Sequence, residues 1–455
     1  MRLIARYAIE YEQYFEIITL WDKQKDIKQI SKDNPIIETI SKTHPSAIWF
    51  ERKIHDDFGI IIKDAFDNRP LVHQERFPDN VHPMRKSFTQ YQINFSEYKP
   101  YKYEAIGGDG VFEVAVGPIH AGIIEPGHFQ FSQAGEDILH QEVRHFYKYR
   151  AIEKMLEGKT LLEAKPIIER ISGNESIAYQ ICWRDIVSQA TDTNIPLSNQ
   201  RYHALLLEME RIIHHLTDLG FIPNDAGFAP ALAYASKLAE DAREQMYNIT
   251  NHRFGFGAID FQKHRLDINS MKKYLNVLSE EIKFFEDWIV DIPSLWDRFD
   301  TTGILKRHKA VKYDTVGIVA RASGLQIDCR DNDFYHQYGY KIHTETTGDV
   351  SARFKVRLQE VKNSIDIISN MMIDSCEDMI LNDINDGIYD SFAESSIGEL
   401  FMSIKLTDGV IDRFFVRDPS FINWQALHLM MPDNIIADFP LINKSCDLSY
   451  AGNDL

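Results

Sequence analysis

The sequence predicts an α+β N-terminal unit followed by a larger, mainly α-helical domain with a small β-sheet. Near the start, Leu3-Ile4-Ala5 and residues 15–21 are short β-rich apolar runs bounded by charge. Further on, apolar residues recur at helical spacing in residues 201–219 (Tyr202, Leu205, Leu206, Met209, Ile212, Ile213, Leu216, Leu219), 271–289 and 361–372. Long amphipathic segments joined by loops pack as a bundle, and Val111–Val116 reads as a strand for the sheet. The expected division is 1–90 for the first unit, 91–110 for a linker carrying Gly107-Gly108, and 111–455 for the second.

Composition narrows the function. The chain has 455 residues, 44% of them hydrophobic and 26% charged, enough for two or three ordinary cores. A formal net charge of -18 argues against nucleic acid or anionic lipid as a direct partner, since both reward clustered Lys and Arg. No window approaches the roughly 18 to 20 apolar residues that span a bilayer. Glu10 and Glu12 interrupt the N-terminus too early for a secretory core, so the expected compartment is the cytosol. Cys182, Cys329, Cys376 and Cys446 are far apart and form no C-x-x-C pair, which predicts buried thiols and no iron-sulfur cluster held by this chain.

Taken in order, a helical piece is expected at 34–41. An amphipathic helix follows within 44–60, with Glu51, Asp56 and Asp57 beside Trp49, Phe50 and Phe58. Asn68-Arg69-Pro70 reads as a turn. The Gly and Pro spacing of 117–131 suits a loop between strands, and 139–158 reads as helical, with Gly158 as its C-cap. His214 and His215 are adjacent and cannot share a helix face as two ligands would, so they read as structural, with His215 the more buried.

The order of motifs resembles two related families. His44 to Ile60, with Arg69-Pro70-Leu71 and Pro83-Met84-Arg85-Lys86 behind it, resembles the E-R-E-x-x-D-x-F-G-I helix, R-P-L and P-L-R-K of the complex I small hydrophilic subunit, in a shortened form. Residues 117–131 are similar to the G-P-I-H-x-G-I-I-E-P-G-H-F-R-F of energy-converting hydrogenases, with Gln130 for Arg. Residues 146–154 resemble G-Y-x-H-R-G-I-E-K, with Tyr149 for His and Ala151 for Gly. Two further stretches resemble the nickel-iron clamp of hydrogenase large subunits, E-R-I-C-G-x-C and D-P-C-x-x-C. Here they read Glu169-Arg170-Ile171-Ser172-Gly173-Asn174-Glu175 and Asp447-Leu448-Ser449-Tyr450-Ala451-Gly452. Ser172, Glu175, Ser449 and Gly452 thus stand where four cysteines would bridge the metals.

The resemblance implies a hydrogenase/complex I large-subunit-like domain whose metal ligands are missing. A nickel-iron centre needs soft thiolates, so hydrogenase activity and a bound nickel-iron cofactor are not expected. The quinone ligands of complex I, a His and a Tyr, are replaced by the Glu125-Pro126 region and by Gly173. The two candidate catalytic carboxylates are Glu125, which aligns with the hydrogenase proton-relay glutamate, and Glu175. His120, Arg170, Ser172, Tyr179, Asp447 and Ser449 are expected to line the pocket. For Glu125 the bland alternative is a turn cap or ion pair, and an oxygen and nitrogen metal site from Glu175, Asp447 and His120 has no motif behind it. The resemblance implies a peripheral subunit on the cytoplasmic face of the inner membrane. Its implied partners are an iron-sulfur small subunit and antiporter-like membrane subunits, with quinone as a candidate ligand. Its role would be electron transfer or, alternatively, non-redox coupling or scaffolding.

Overall fold

A computed structural model describes residues 1–89, 93–120 and 124–455. Part of the 117–131 loop motif (121–123) and the start of the expected linker (91 and 92) lie outside the described residues.

The chain opens with an antiparallel sheet, β1 (Leu3–Glu10), β2 (Tyr14–Trp21) and β3 (Lys25–Ser31), paired in that order. Every residue of β1 is buried because both of its faces are covered. The ring of Tyr7 stacks on Phe415 at 4.2 Å, and its hydroxyl donates to Ser403 Oγ at 2.9 Å. Residues 34–41 are not helical. They hold β4 (Ile36–Glu38), which pairs in parallel with β5 (Ile61–Lys63) across the helix α1 (Ala47–Phe58). Helix α1 ends at Gly59, whose φ of 71° lets its N–H return to His55 O.

Helix α1 is not the half-exposed amphipathic helix expected, because its charges are satisfied internally. Glu51 pairs with Arg6 and accepts from Thr39 Oγ1 at 2.6 Å. Asp56 accepts the N–H groups of Leu71, Val72 and His73 at 2.8 to 3.2 Å. Lys53 Nζ bonds Asp57 at 2.6 Å and Glu153 at 2.7 Å.

A second antiparallel sheet follows: β6 (Val111–Val116), β7 (His128–Ala134) and β8 (Asp137–Arg144). The helix expected over 139–158 is therefore mostly strand. Its first half pairs with β7 in register from Arg144 to Asp137, and only α2 (Ile152–Leu156) is helical. The bundle comprises α3 (Leu161–Ile168), α4 (Ser176–Ala190), α5 (Leu197–Asp225), α6 (Ala229–Thr250) and α7 (Ile268–Val290). Four short helices, α8 (Pro293–Phe299), α9 (Arg307–Lys312), α10 (Gly317–Ala322) and α11 (Asp333–His336), lead to α12 (Val350–Met371). The 201–219, 271–289 and 361–372 periods fall within α5, α7 and, up to Met371, α12. His214 and His215 are both buried, and His215 Nε2 bonds Glu360 at 2.9 Å.

The chain closes with a sheet that sequence reasoning did not place, β9 (Gly387–Glu394), β10 (Glu399–Thr407) and β11 (Val410–Arg417), and with α13 (Pro419–Asn423), α14 (Phe439–Cys446) and α15 (Tyr450–Asp454). Leu3, Trp49, Phe129, Phe401, Phe415, Trp424 and Phe439 share one apolar cluster, so the N-terminal sheet, the middle sheet and the C-terminal segment are packed on one another. No helix among the described residues is long and apolar enough to cross a membrane.

Candidate functional site

The two clamp-like segments, far apart in sequence, meet. Ser172 Oγ and Ser449 Oγ share a hydrogen bond at 3.1 Å. Each is held by its backbone. Ser449 caps α15 by accepting Gly452 N at 2.9 Å, and its own N–H donates to Ser420 Oγ at 2.8 Å. Arg150 ties the segments together, its Nη2 donating to Ile171 O and to Ala451 O, both at 2.8 Å. That arginine was not singled out in the sequence, although it stands inside the 146–154 motif as the basic residue left when His became Tyr149.

Glu175 sits at the N-cap of α4, yet its side chain makes no cap bond. The first free N–H groups of α4 are taken instead by Glu210 of α5, which accepts Ile177 N at 2.7 Å and Ala178 N at 3.3 Å. Burial pushes the Glu210 carboxyl up to about 8, with those two N–H groups pulling against it. Released from capping, Glu175 lies fully buried beside Asp418, and neither of its carboxylate oxygens has a hydrogen-bond partner among the described residues. Burial first, and the Asp418 charge next, raise its pKa well above the carboxylate range. Tyr179, one turn along α4 and also fully buried, donates its hydroxyl to Asp418 Oδ2 at 2.8 Å.

Asp418 was read only as part of a motif, and it defines the pocket. Its Oδ1 caps α13 by accepting Ser420 N at 2.8 Å. Its Oδ2 lies 2.0 Å from where a Cβ on Gly452 would be. Gly452 therefore has no room for a side chain, and the space that the fourth cysteine would enter holds the Asp418 carboxylate. The four clamp positions present two hydroxyls, one carboxyl and one glycine filled from outside by a second carboxyl.

The other expected site residues are placed around this centre. Glu125 accepts Ala451 N at 3.0 Å and pairs with Lys148, at the rim of the same motif. His120 Nε2 donates to Gly127 O at 2.8 Å, within its own loop. Asp447 turns to the bundle, bonding Lys444 at 2.5 Å beside Asp218 and Arg357. Burial works to raise its pKa, but Lys444 and Arg357 outweigh it and hold the carboxyl at about 2. Arg170 is half exposed, pairs with Glu169 and lies over the ring of Phe256, so its side chain is not in the pocket. Arg353 and Arg357 of α12 hold the segment preceding Ser449, donating to Ser445 Oγ at 2.8 Å and Ser445 O at 2.6 Å.

Beside the pocket, His145 is enclosed by Trp49, Phe129, Trp424 and Tyr450, at ring-centroid distances of 4.3 to 6.1 Å. Both its ring nitrogens lack partners among the described residues, and burial pushes its pKa down to about 3. Behind α5 runs a buried ionic network that sequence reasoning missed. Arg321 bonds Glu360 at 2.8 Å, Glu394 at 2.7 Å and Asp328 at 3.0 Å, and Arg330 bonds Glu208 at 3.1 Å. Among the described residues no group of three or more His, Cys, Asp or Glu side chains is arranged to hold a metal ion.

Comparison with known proteins agrees with this arrangement of parts. Residues 4–93 match the family described as "Respiratory-chain NADH dehydrogenase, 30 Kd subunit", and residues 237–388 match its 49 Kd subunit. Formate hydrogenlyase subunit 5 of Escherichia coli (strain K12) is 26% identical over 444 residues, covering 94% of this chain and 78% of that protein. Hydrogenase-4 component G of the same organism is 25% identical, over 93% and 77%. An NADH-quinone oxidoreductase subunit of Dehalococcoides mccartyi is 29% identical over 360 residues, 74% of this chain and 96% of the relative. In fold, the chain is similar to a chain of the membrane-bound sulfane sulfur reductase, an archaeal respiratory membrane complex, with a TM-score of 0.70 at 19% identity over 76% of this chain and 99% of that one. The chain therefore carries regions of the complex I 30 Kd and 49 Kd subunit families in one polypeptide and is related to the large subunits of hydrogenases and of NADH-quinone oxidoreductase.

Proposed function

We propose that this chain is the peripheral large subunit of a membrane-bound, ion-translocating respiratory complex, and that its pocket holds no nickel-iron centre. Its relatives are subunits of membrane-bound respiratory complexes. The observation that carries the metal-free reading is the filling of the clamp. Soft thiolates are replaced by hydroxyl and carboxyl oxygens, and Asp418 Oδ2 lies in the space of the fourth ligand. Hard oxygen donors do not supply the environment that nickel and iron take in thiolate sites. In this reading residues 1–90 and 111–455 act as two fused subunits, docked on the cytoplasmic face against an iron-sulfur small subunit and antiporter-like membrane subunits. Glu125 and Glu175 are the titratable groups at the pocket, Glu125 at its rim and Glu175 inside.

Purification of the native complex, identification of its partners and measurement of nickel, iron and acid-labile sulfide test the proposal. The expected result is a co-purifying iron-sulfur subunit and membrane subunits, with no stoichiometric nickel. Stoichiometric nickel, or a protein isolated alone, would overturn it. A non-redox coupling role is the second reading, favoured by a pocket rebuilt from groups that carry protons and no electrons. Redox turnover lost on Glu125→Gln and Glu175→Ala supports electron transfer, whereas ion transport without donor or acceptor supports coupling.

A further inference from the structure

We infer that Glu175 and Asp418 hold one exchangeable proton between them, and that this proton communicates with Lys53 and Asp57 of the N-terminal unit through a cavity sized for a single water. The inference rests on the pocket being metal-free and is independent of the partners of the complex.

Charge balance is the first step. Glu175 is fully buried and Asp418 is 1% exposed, and no ion pair is made by either among the described residues. Tyr179, Ser172 and Ser395 face the pair as neutral groups. The nearest cation is Arg150, which is spent on main-chain carbonyls. Two uncompensated buried carboxylates cost several kcal/mol each, so one proton shared by the pair is the stable state. Asp418, with two donors directed at it, is the ionised member, and Glu175, with none, carries the proton.

The second step is a route. A cavity of about 10 Å³ is bounded by Asp418, Lys53 and Asn453 within a shell of Phe50, Phe415, Val416 and Phe421. That is the lower limit for one water, which needs two to four polar partners. Asp418, Lys53 and the side-chain oxygen of Asn453, itself buried without a partner, provide them. On the far side Lys53 bonds Asp57 Oδ2 at 2.6 Å. Burial, outweighing Lys53, pushes Asp57 up to about 6, within reach of neutral solution.

The transfer balances without an added reactant. The O–H bond on Glu175 breaks as one forms on Asp418. Asp418 then returns its proton to the water, the water passes one to Lys53, and Lys53 gives one of its own to Asp57. Lys53 ends as the ammonium it began as, and one negative charge has moved from Asp57 to the Glu175–Asp418 pair.

Infrared spectroscopy of the full-length protein, with metal content measured on the same sample, tests this. At neutral pH a carboxylic acid C=O band is expected that is lost in Glu175→Gln and shifted in Asp418→Asn. Exchange of that band in D₂O should slow about tenfold, or about 1.4 kcal/mol on the barrier, in Val416→Ile, whose extra methylene fills the cavity. The same slowing is expected in Lys53→Met/Asp57→Asn, which removes the relay while keeping the local charge balanced. A metal-free protein lacking a Glu175-dependent band, or unaltered exchange in both relay variants, would overturn the inference. A bound metal would instead overturn the reading of the pocket on which it rests.

Discussion

Gly452→Ala tests directly whether Asp418 fills the fourth clamp position. The new Cβ would stand 2.0 Å from Asp418 Oδ2 and 2.6 Å from its Cγ, so something must shift. If the carboxylate rotates away, it loses the Tyr179 hydroxyl and the Ser420 N–H, both at 2.8 Å. Hydrogen bonds to an ionised group contribute about 1.5–3 kcal/mol each, which puts that route at about 3–6 kcal/mol. If the α15 backbone retreats instead, the cost is that of overpacking, about 1–3 kcal/mol. The cheaper route wins, so a destabilisation of about 1–3 kcal/mol is expected in urea unfolding, with faster amide exchange in α15. Asp418→Ala alone should cost about 2–4 kcal/mol, from a lost helix cap and an orphaned Tyr179 hydroxyl. In the double variant the added methyl enters vacated space, so it should be no less stable than Asp418→Ala to within about 0.5 kcal/mol. Additive losses, or a Gly452→Ala protein as stable as the parent, would refute the geometry.

Three further outcomes are expected. Ser449→Ala removes the cap of α15 and should cost about 1 kcal/mol, whereas Ser172→Ala, which loses only the bond to Ser449, should cost less; the order is read from unfolding midpoints. Glu210 has a folded pKa of about 8, above its unfolded value, so its contribution is fully present below about 4.5 and is lost as pH rises through 8. Glu210→Gln should flatten the decline of stability across that window in a pH series of melts. His145 has a folded pKa of about 3, below its unfolded value, so stability is lost as pH falls from about 6.5 towards 3. His145→Phe, which fits the aromatic cage and removes two unpartnered nitrogens, should resist acid further than the parent, and an unchanged acid midpoint would count against the burial argument.

What was legible in the sequence was periodic. Helices α5, α7 and α12 announced themselves because each presents one apolar stripe to the bundle. The misreadings occurred where tertiary pairing decides. Residues 137–144 became β8 because β7 offered them a partner, and residues 36–38 became β4 for the sake of β5. Helix α1 looked half exposed because its carboxylates, read singly, gave no sign of Arg6, Lys53 or the N–H groups of 71–73. At the site, no local signal joins Ser172 to Ser449; only the resemblance of their flanking motifs did. Asp418 stayed hidden for another reason. Its role follows from the missing side chain at Gly452, a relation between two positions that no single stretch displays.

The pocket could change its donors without collapsing because its walls are held by main-chain bonds. Arg150 bonds the carbonyls of Ile171 and Ala451, Glu210 the N–H groups of Ile177 and Ala178, and Arg211 the carbonyls of Glu394 and Ser395. None of these depends on which side chain occupies a clamp position. The same argument predicts that restoring the cysteines alone will not restore a thiolate site. With Cys at 172, 175, 449 and 452, the last side chain still meets Asp418, so the four sulfurs cannot converge. Adding Asp418→Ala clears that space, and only this five-substitution chain should bind one Cd²⁺ per chain with the ultraviolet charge-transfer band of thiolate ligation, since soft ligands select soft metals. Equal binding by the four-cysteine chain would mean that Asp418 yields the position freely, and that the pocket was never committed to oxygen.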